Sequence, residues 1–116
     1  MNVERIIRKL SEKYPRKKII KNREENPTEI ICEVEPGLAV AVIDKSITHY
    51  HKKTTEIYEI IKGELTVYKD GKGYKLGEGD NLTIKPEEVH YAVGNEAWAK
   101  VYSEPPWTQE DHIIKQ

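Results

Sequence analysis

The sequence contains a single cysteine, Cys32, among its 116 residues. One cysteine cannot form an intramolecular disulfide, and it excludes a zinc site built from four thiolates. Because Cys32 lies in the apolar stretch 30–34, we expect a buried packing residue and not a nucleophile. A chain of this length folds as one domain without covalent cross-links. The near absence of cysteine predicts a reducing compartment, which we take to be the cytoplasm.

Long apolar runs and an excess of one charge are also absent. No stretch of 18 apolar residues occurs, and residues 1–5 lack the apolar core of a secretion signal. The 19 Lys and Arg residues nearly balance the 20 Asp and Glu residues, which gives a formal net charge of −1. No global basic field therefore attracts polyanions. The sequence predicts that the protein binds neither nucleic acid nor membranes.

Charged residues, by contrast, are abundant. They make up 34% of the chain, against about 25% in an average soluble domain. A sequence rich in Ile, Lys and Glu with one Met is typical of heat-adapted proteins, in which charged networks replace thermolabile residues. We therefore expect a thermophilic protein with a densely charged surface.

The spacing of apolar residues divides the chain into three parts. Residues 1–27 contain a helical pattern, with Asn2 as its N-cap and Pro15 as its end, followed by a polar connector. In residues 28–104 the apolar period changes to two, which predicts β-strands, and residues 105–116 look like an extended arm. The predicted strands cover residues 28–35, 38–43, 56–61, 65–69, 82–85, 89–93 and 98–103.

Turn-forming residues separate these strands, and no helical pattern lies between them. Short strands at this spacing favour an antiparallel sandwich or barrel. The predicted fold class is therefore all-β, with a short N-terminal α-helix.

Three of the four histidines lie where such a barrel can bring them together. His49 and His51 are two residues apart, so both point to the same face of a strand. Glu56 rejoins that face if residues 52–55 turn or bulge, and His90 comes from a later hairpin. Imidazole and carboxylate ligands with open coordination positions suit a divalent transition metal such as Fe, Mn, Zn, Ni, Co or Cu. A surface His-x-His pair without metal is the alternative interpretation.

Two stretches resemble the two motifs of the cupin family. The stretches are His49-x-His51-x4-Glu56-x6-Gly63 and Gly79-x10-His90. The resemblance covers roughly residues 38–102. It implies a double-stranded β-helix, the cupin jelly-roll barrel, which holds a divalent metal on the three histidines and the glutamate. It also implies a homodimer, because small cupins commonly pair by strand exchange.

Fold and metal do not determine the reaction. Residues 105–114 resemble the tail of small cupins that are similar to mannose-6-phosphate isomerase, which implies a sugar-phosphate isomerase-like enzyme acting on a small polar organic ligand. Such an enzyme needs a base as well as a metal. Tyr58 shares the strand parity of Glu56, and Glu88 shares that of His90, so these two are the predicted catalytic residues.

Two other functions stay open. A metal-dependent dioxygenase needs an open metal position and an apolar wall, and it needs no phosphate-binding cation. A non-catalytic cupin that binds a small ligand is the other alternative. His112, near the end of the chain, is expected to be an exposed tail residue outside the site.

Overall fold

The computed structural model, which describes residues 1–115, contains one α-helix and ten β-strands, and the strands form a curled antiparallel sheet. The elements are α1 (Val3–Lys13), β1 (Lys18–Lys21), β2 (Glu29–Glu35), β3 (Leu38–Lys45), β4 (His49–Tyr50), β5 (Thr55–Lys62), β6 (Leu65–Lys69), β7 (Lys72–Leu76), β8 (Asn81–Ile84), β9 (His90–Glu104) and β10 (Ile113–Ile114). The predicted fold class, an all-β jelly roll with a short N-terminal helix, is confirmed. None of the helical residues within 1–115 belongs to a helix long and apolar enough to cross a membrane.

Strand β9 connects the parts of the barrel. It pairs with β3, β4, β5 and β6, always antiparallel. One path through the sheet runs β1-β2-β3-β9-β4-β10, while β8 pairs with β5 and β7 pairs with β6. Because β9 begins at His90 and lies opposite β4 there, the start of this strand brings together segments that are far apart in the sequence.

The length of β9 differs from the prediction. The sequence predicted strands over 89–93 and 98–103 with a turn between them, whereas the structure has one bent strand. Gly94 allows the bend, since a Cβ atom at this position would lie 3.0 Å from the carbonyl oxygen of Glu64. The turn residues therefore redirect the strand from β6 to β3 and β5 without ending it.

Four strands, β1, β4, β7 and β10, lie outside the predicted ranges. Strand β1 is a four-residue edge strand within the predicted polar connector, and β4 and β10 have two residues each, which is too short for an alternating pattern. Strand β7 has the sequence Lys-Gly-Tyr-Lys-Leu, which lacks the β-branched residues that mark strands. These elements form because a partner strand supplies their hydrogen bonds.

Helix α1 covers the outer side of the barrel wall. The side chain of Asn2 accepts a hydrogen bond from the Arg5 N–H at 3.1 Å, as expected of an N-cap. On β2, Ile30 and Cys32 face the helix, whereas Ile31 packs against the core inside the barrel. Cys32 is fully buried, as its apolar neighbours predicted. The apolar layer between helix and sheet consists of Ile6 and Leu10 from the helix and Ile30, Cys32, Val40 and Val42 from the sheet.

We expect Leu10→Ala to lower the free energy of unfolding by about 2–5 kcal/mol, because the truncated side chain leaves a cavity between helix and sheet. Leu10 is 0% exposed. Urea unfolding measures the change. The control is Lys9→Ala on the exposed side of the same helix, with an expected change within about 0.5 kcal/mol. If both variants change the free energy of unfolding by the same small amount, the helix does not pack on the barrel in solution.

Candidate metal centre

Four side chains meet at one end of the barrel. His49 lies on β4, His51 follows that strand, Glu56 lies on β5 and His90 begins β9. One ligand atom from each of the four lies within 4.8 Å of the others. All four residues are buried, and none is more than 6% exposed. The structure thus brings together the four residues that the sequence predicted.

Strand pairing and one bend produce this arrangement. His49 and His90 are direct partners across β4 and β9, and their ring centroids are 4.2 Å apart. The chain then bends at residues 52–53, which returns Glu56 to the same side as His51. This is the irregularity that the five-residue spacing between them required.

Backbone carbonyl groups determine the tautomers of the three histidines. The Nδ1 atoms donate to carbonyl oxygens, that of His49 to Ile47 at 2.6 Å, that of His51 to Asp111 at 2.9 Å and that of His90 to Glu88 at 2.9 Å. A carbonyl oxygen only accepts, so Nδ1 carries the proton and Nε2 of the neutral ring carries a lone pair. Metal-ligating histidines have outer carbonyl partners of this kind.

The lone pairs of His51 and His90 are directed toward Glu56. Its Oε1 atom lies 3.2 Å from Nε2 of His51 and 3.2 Å from Nε2 of His90. Within residues 1–115, Nε2 of His51 is a buried polar atom without a hydrogen-bond partner. Lone pairs that face a carboxylate require a proton or a cation between them. Three nitrogen donors and one carboxylate oxygen fit a divalent transition metal.

The environment favours the protonation state that a metal needs at His49 and at Glu56, but not at His51. Burial, with repulsion from His90 and His112, lowers the pKa of His49 to about 3. Burial opposes ionisation of Glu56, but hydrogen bonds and charge from His51 and His90, when these rings are protonated, outweigh it and hold the pKa of this carboxyl well below its usual range. Burial lowers the pKa of His51, but the adjacent Glu56 carboxylate outweighs it and raises this pKa above its usual value. His49 is therefore neutral and Glu56 ionised near pH 7, whereas a metal competes with a proton at His51.

Residues 30–101 match the family model of the cupin domain. The chain is a cupin. The matched segment includes all four clustered residues, and it runs from β2 into β9. The resemblance of the two sequence motifs to this family is thereby confirmed.

Similar proteins carry out different reactions on this fold. Quercetin 2,3-dioxygenase of Bacillus subtilis is 34% identical over 47 residues, which is 40% of this chain and 14% of the dioxygenase. The structure of a nucleoside dehydratase from Streptomyces superposes with a TM-score of 0.73 at 12% identity, covering 87% of this chain and 88% of that one. A sugar phosphate isomerase from Silicibacter pomeroyi superposes with a TM-score of 0.56 at 16% identity, covering 70% and 60%. The two structural similarities establish a common fold.

Tyr58, one of the two predicted catalytic residues, lies inside the cupin barrel. It is buried on β5, two residues beyond Glu56. Its ring is perpendicular to that of His90 at a centroid distance of 6.3 Å. Burial, with the charges of Glu56 and Glu29, raises the pKa of the Tyr58 phenol. The hydroxyl therefore stays protonated and is suited to donating a hydrogen bond.

Glu88, the other predicted catalytic residue, has partners in the turn before β9. Its carboxylate accepts a hydrogen bond from the Lys85 N–H at 2.6 Å and lies 3.6 Å from Nζ of Lys69. Its main-chain carbonyl accepts the Nδ1–H of His90. Through that carbonyl, Glu88 orients one of the clustered histidines.

His112 lies against the site, so the prediction of an exposed tail histidine was wrong. Its ring is half-buried and stacks on His49 at 4.3 Å with an interplanar angle of 27°. Strand β10 pairs with β4 and folds the arm back. Trp107 donates its indole N–H to Nδ1 of His112 at 3.3 Å, so the neutral ring carries its proton on Nε2, the reverse of the other three histidines. The only sequence signal was the apolar pair Ile113-Ile114, which does not reveal its partner strand.

Glu29 is an interior carboxyl group that the sequence analysis did not select. On β2, Ile30 faces the helix and Ile31 faces the barrel core, so strand alternation puts Glu29 on the inner side. Burial, with the negative charge of Glu56, raises the pKa of Glu29 to about 8. The alternation of side chains along residues 29–32 indicates an inward-facing Glu29 only once it is known which face of β2 covers the barrel interior.

We expect Glu29→Gln to make the free energy of unfolding less dependent on pH. The folded protein retains the Glu29 proton up to pH about 8, whereas the unfolded chain loses it near 4.5. Wild-type stability should therefore fall as pH rises through this window, by about 1–3 kcal/mol after allowance for partial solvent exposure. Urea unfolding at pH 5 and pH 8.5 measures it, with Glu35→Gln at the exposed end of the same strand as control. If the stability of Glu29→Gln and that of the wild type depend equally on pH, the Glu29 carboxyl does not keep its proton in the folded protein.

Proposed function

We propose that this cupin binds one divalent transition metal through His49, His51, Glu56 and His90, and that it is a sugar-phosphate isomerase-like enzyme. The main support is the set of Nε2 lone pairs, oriented by backbone carbonyls, around the Glu56 carboxylate. A metal bound there would polarise a carbonyl or hydroxyl group of the ligand. The common fold with a sugar phosphate isomerase supports the substrate class.

Interconversion of an aldose and a ketose moves a proton between neighbouring carbon atoms, so a protein group must take up and return that proton. Glu29 is our candidate, because its carboxyl lies on the inner face of β2 and has a pKa of about 8. Tyr58, held as a phenol, is suited to donating a hydrogen bond to the oxygen that becomes negative during the transfer. Glu88 acts as a base only if its carboxylate leaves the Lys85 N–H and Lys69.

A phosphate group needs a cation near the metal. Lys69 lies directly opposite His90 across β6 and β9, and it shares the strand parity of the buried Val67. Its Nζ atom donates to the Thr83 carbonyl at 3.2 Å and is 3.6 Å from Glu88. We assign phosphate binding to Lys69, because it lies across the sheet from His90; its Nζ atom would exchange Glu88 for the phosphate.

A dioxygenase is the second candidate function. The observation in its favour is the sequence match to quercetin 2,3-dioxygenase over 47 residues. A redox-active metal with adjacent open positions is required, and the inner core contributes an apolar wall that contains small residues such as Ala41, Ala92 and Ala99. A non-catalytic role in binding a small ligand is the third candidate.

We also propose, from composition and family, that the protein is a thermophilic homodimer of the cytoplasm. Light scattering of the purified chain tests the oligomeric state, and a mass of one chain would contradict the dimer.

Metal analysis of protein purified without a histidine tag, followed by two assays, tests the proposed function. We expect stoichiometric metal and interconversion of mannose 6-phosphate and fructose 6-phosphate without oxygen uptake. Glu29→Gln should lose this activity and keep its metal, whereas Glu35→Gln should keep both. Oxygen uptake with a flavonol would favour the dioxygenase, and metal with neither activity would favour ligand binding. A wild-type chain that binds no divalent metal would overturn the proposal.

A further inference from the structure

Asp111, in the C-terminal arm, contacts the segment that joins two of the clustered residues. Its carboxylate accepts hydrogen bonds from the backbone N–H groups of Lys52, Lys53 and Thr54, with N···O distances between 2.9 and 3.2 Å. These residues lie between His51 and the start of β5. One carboxylate therefore holds the bend that returns the chain from the histidine pair to Glu56.

The main chain of Asp111 also orients His51. Its carbonyl oxygen accepts the Nδ1–H of His51 at 2.9 Å. His49 and His90 use carbonyl groups two residues before them, so their orientation depends on local backbone. His51 instead depends on a residue 60 positions away. Its ring is oriented only when the arm is docked.

Several contacts near Asp111 dock the arm on the barrel. Ile113 pairs with Tyr50 across β10 and β4. The Lys115 N–H donates to the Thr48 carbonyl at 3.0 Å. At the start of the arm, the Thr54 hydroxyl donates to the Pro105 carbonyl at 3.1 Å. The Asp111 carbonyl is thereby presented to His51 at a defined position.

We propose that Asp111 is a positioning residue of the metal centre, which aligns Nε2 of His51 through its carbonyl and fixes the following bend through its carboxylate. The inference rests on the proposed metal-binding function. Without the Asp111 side chain, residues 52–54 lose their shared acceptor, and the carbonyl is held beside His51 only by the remaining contacts of the arm. Metal binding must then order both the bend at residues 52–54 and the ring of His51. Loss of an outer partner of a metal-bound histidine typically lowers affinity by about 10- to 100-fold.

The test compares Co²⁺ binding to full-length wild type and Asp111→Ala by competition with a chromophoric chelator. We expect the Co²⁺ dissociation constant to rise by about 10- to 100-fold. The visible absorption spectrum of bound Co²⁺ should also change, because it reports ligand geometry and not stability. Asp111→Asn keeps one acceptor oxygen, so its Co²⁺ dissociation constant should lie between those of the wild type and Asp111→Ala. If Asp111→Ala does not fold, by circular dichroism, Asp111→Asn carries the test, with an expected rise of about 10-fold.

The control is Asp80→Ala, which removes another turn-holding carboxylate. Asp80 accepts the Gly77 N–H at 2.8 Å, and its carbonyl accepts the Ile60 N–H toward the other end of β5. This variant should lose stability while its Co²⁺ affinity and spectrum stay unchanged. If wild type and the Asp111 variants bind Co²⁺ with the same affinity and spectrum, the inference is wrong and the metal site stands. If wild type binds no Co²⁺, the proposed function fails and the inference fails with it.

Discussion

Replacement of His49 with alanine is expected to abolish stoichiometric metal binding while the barrel stays folded. His49 contributes one of three Nε2 donors, and its partner across the sheet is His90. Removal of a direct ligand should reduce metal affinity by more than the roughly 10- to 100-fold that follows loss of an outer partner. The apolar core of the barrel does not include His49, so the loss is confined to the site.

Metal content by elemental analysis and folding by circular dichroism measure this effect. The matched control is His112→Ala, because His112 stacks on His49 but does not belong to the group of four clustered ligand atoms. We expect full metal content in His112→Ala and a strong loss in His49→Ala. Equal metal content in both variants would remove His49 from the ligand set.

Removal of the metal is expected to lower the midpoint of thermal unfolding by roughly 15 °C. A ligand that binds only the folded state at 1,000 times its dissociation constant adds about 4 kcal/mol of stability. For a chain of this size, 1 kcal/mol corresponds to roughly 4 °C. The metal-free protein also keeps the Glu56 carboxylate buried beside two imidazoles, which costs free energy that a bound cation offsets.

Differential scanning calorimetry before and after dialysis against EDTA measures the shift. Metal added back should restore the higher midpoint. His49→Ala serves as the control, since a variant without the site should unfold at the same temperature with and without EDTA. A wild-type midpoint that does not respond to EDTA or to added metal would mean that the four side chains do not bind metal in solution.

Much of the candidate metal centre was predictable, because three of its four residues lie close together in the sequence. His49 and His51 share a strand face by alternation alone, and the bend before Glu56 follows from the odd spacing between them. His90 was harder to place, because only its position in a second cupin-like motif connected it with the first three. The structure confirms that all four converge.

The residues around the centre were not predictable in the same way. Glu29 points inward because helix α1 takes the opposite face of β2, and the sequence of β2 alone does not say which face is inside. Asp111 and His112 reach the site because a two-residue strand pairs with another two-residue strand. Elements that short have no periodicity of their own from which to predict a partner.

By itself, the sequence determined the all-β fold class and predicted the four residues of the candidate metal centre, three through local strand alternation and spacing and His90 through its place in a second motif. Only the tertiary structure decided that the C-terminal arm belongs to the centre, that His51 takes its tautomer from Asp111 and that Glu29 faces the interior. Those features depend on contacts between segments as much as 60 residues apart, whose formation depends on the packing of the whole barrel and not on local conformational preference.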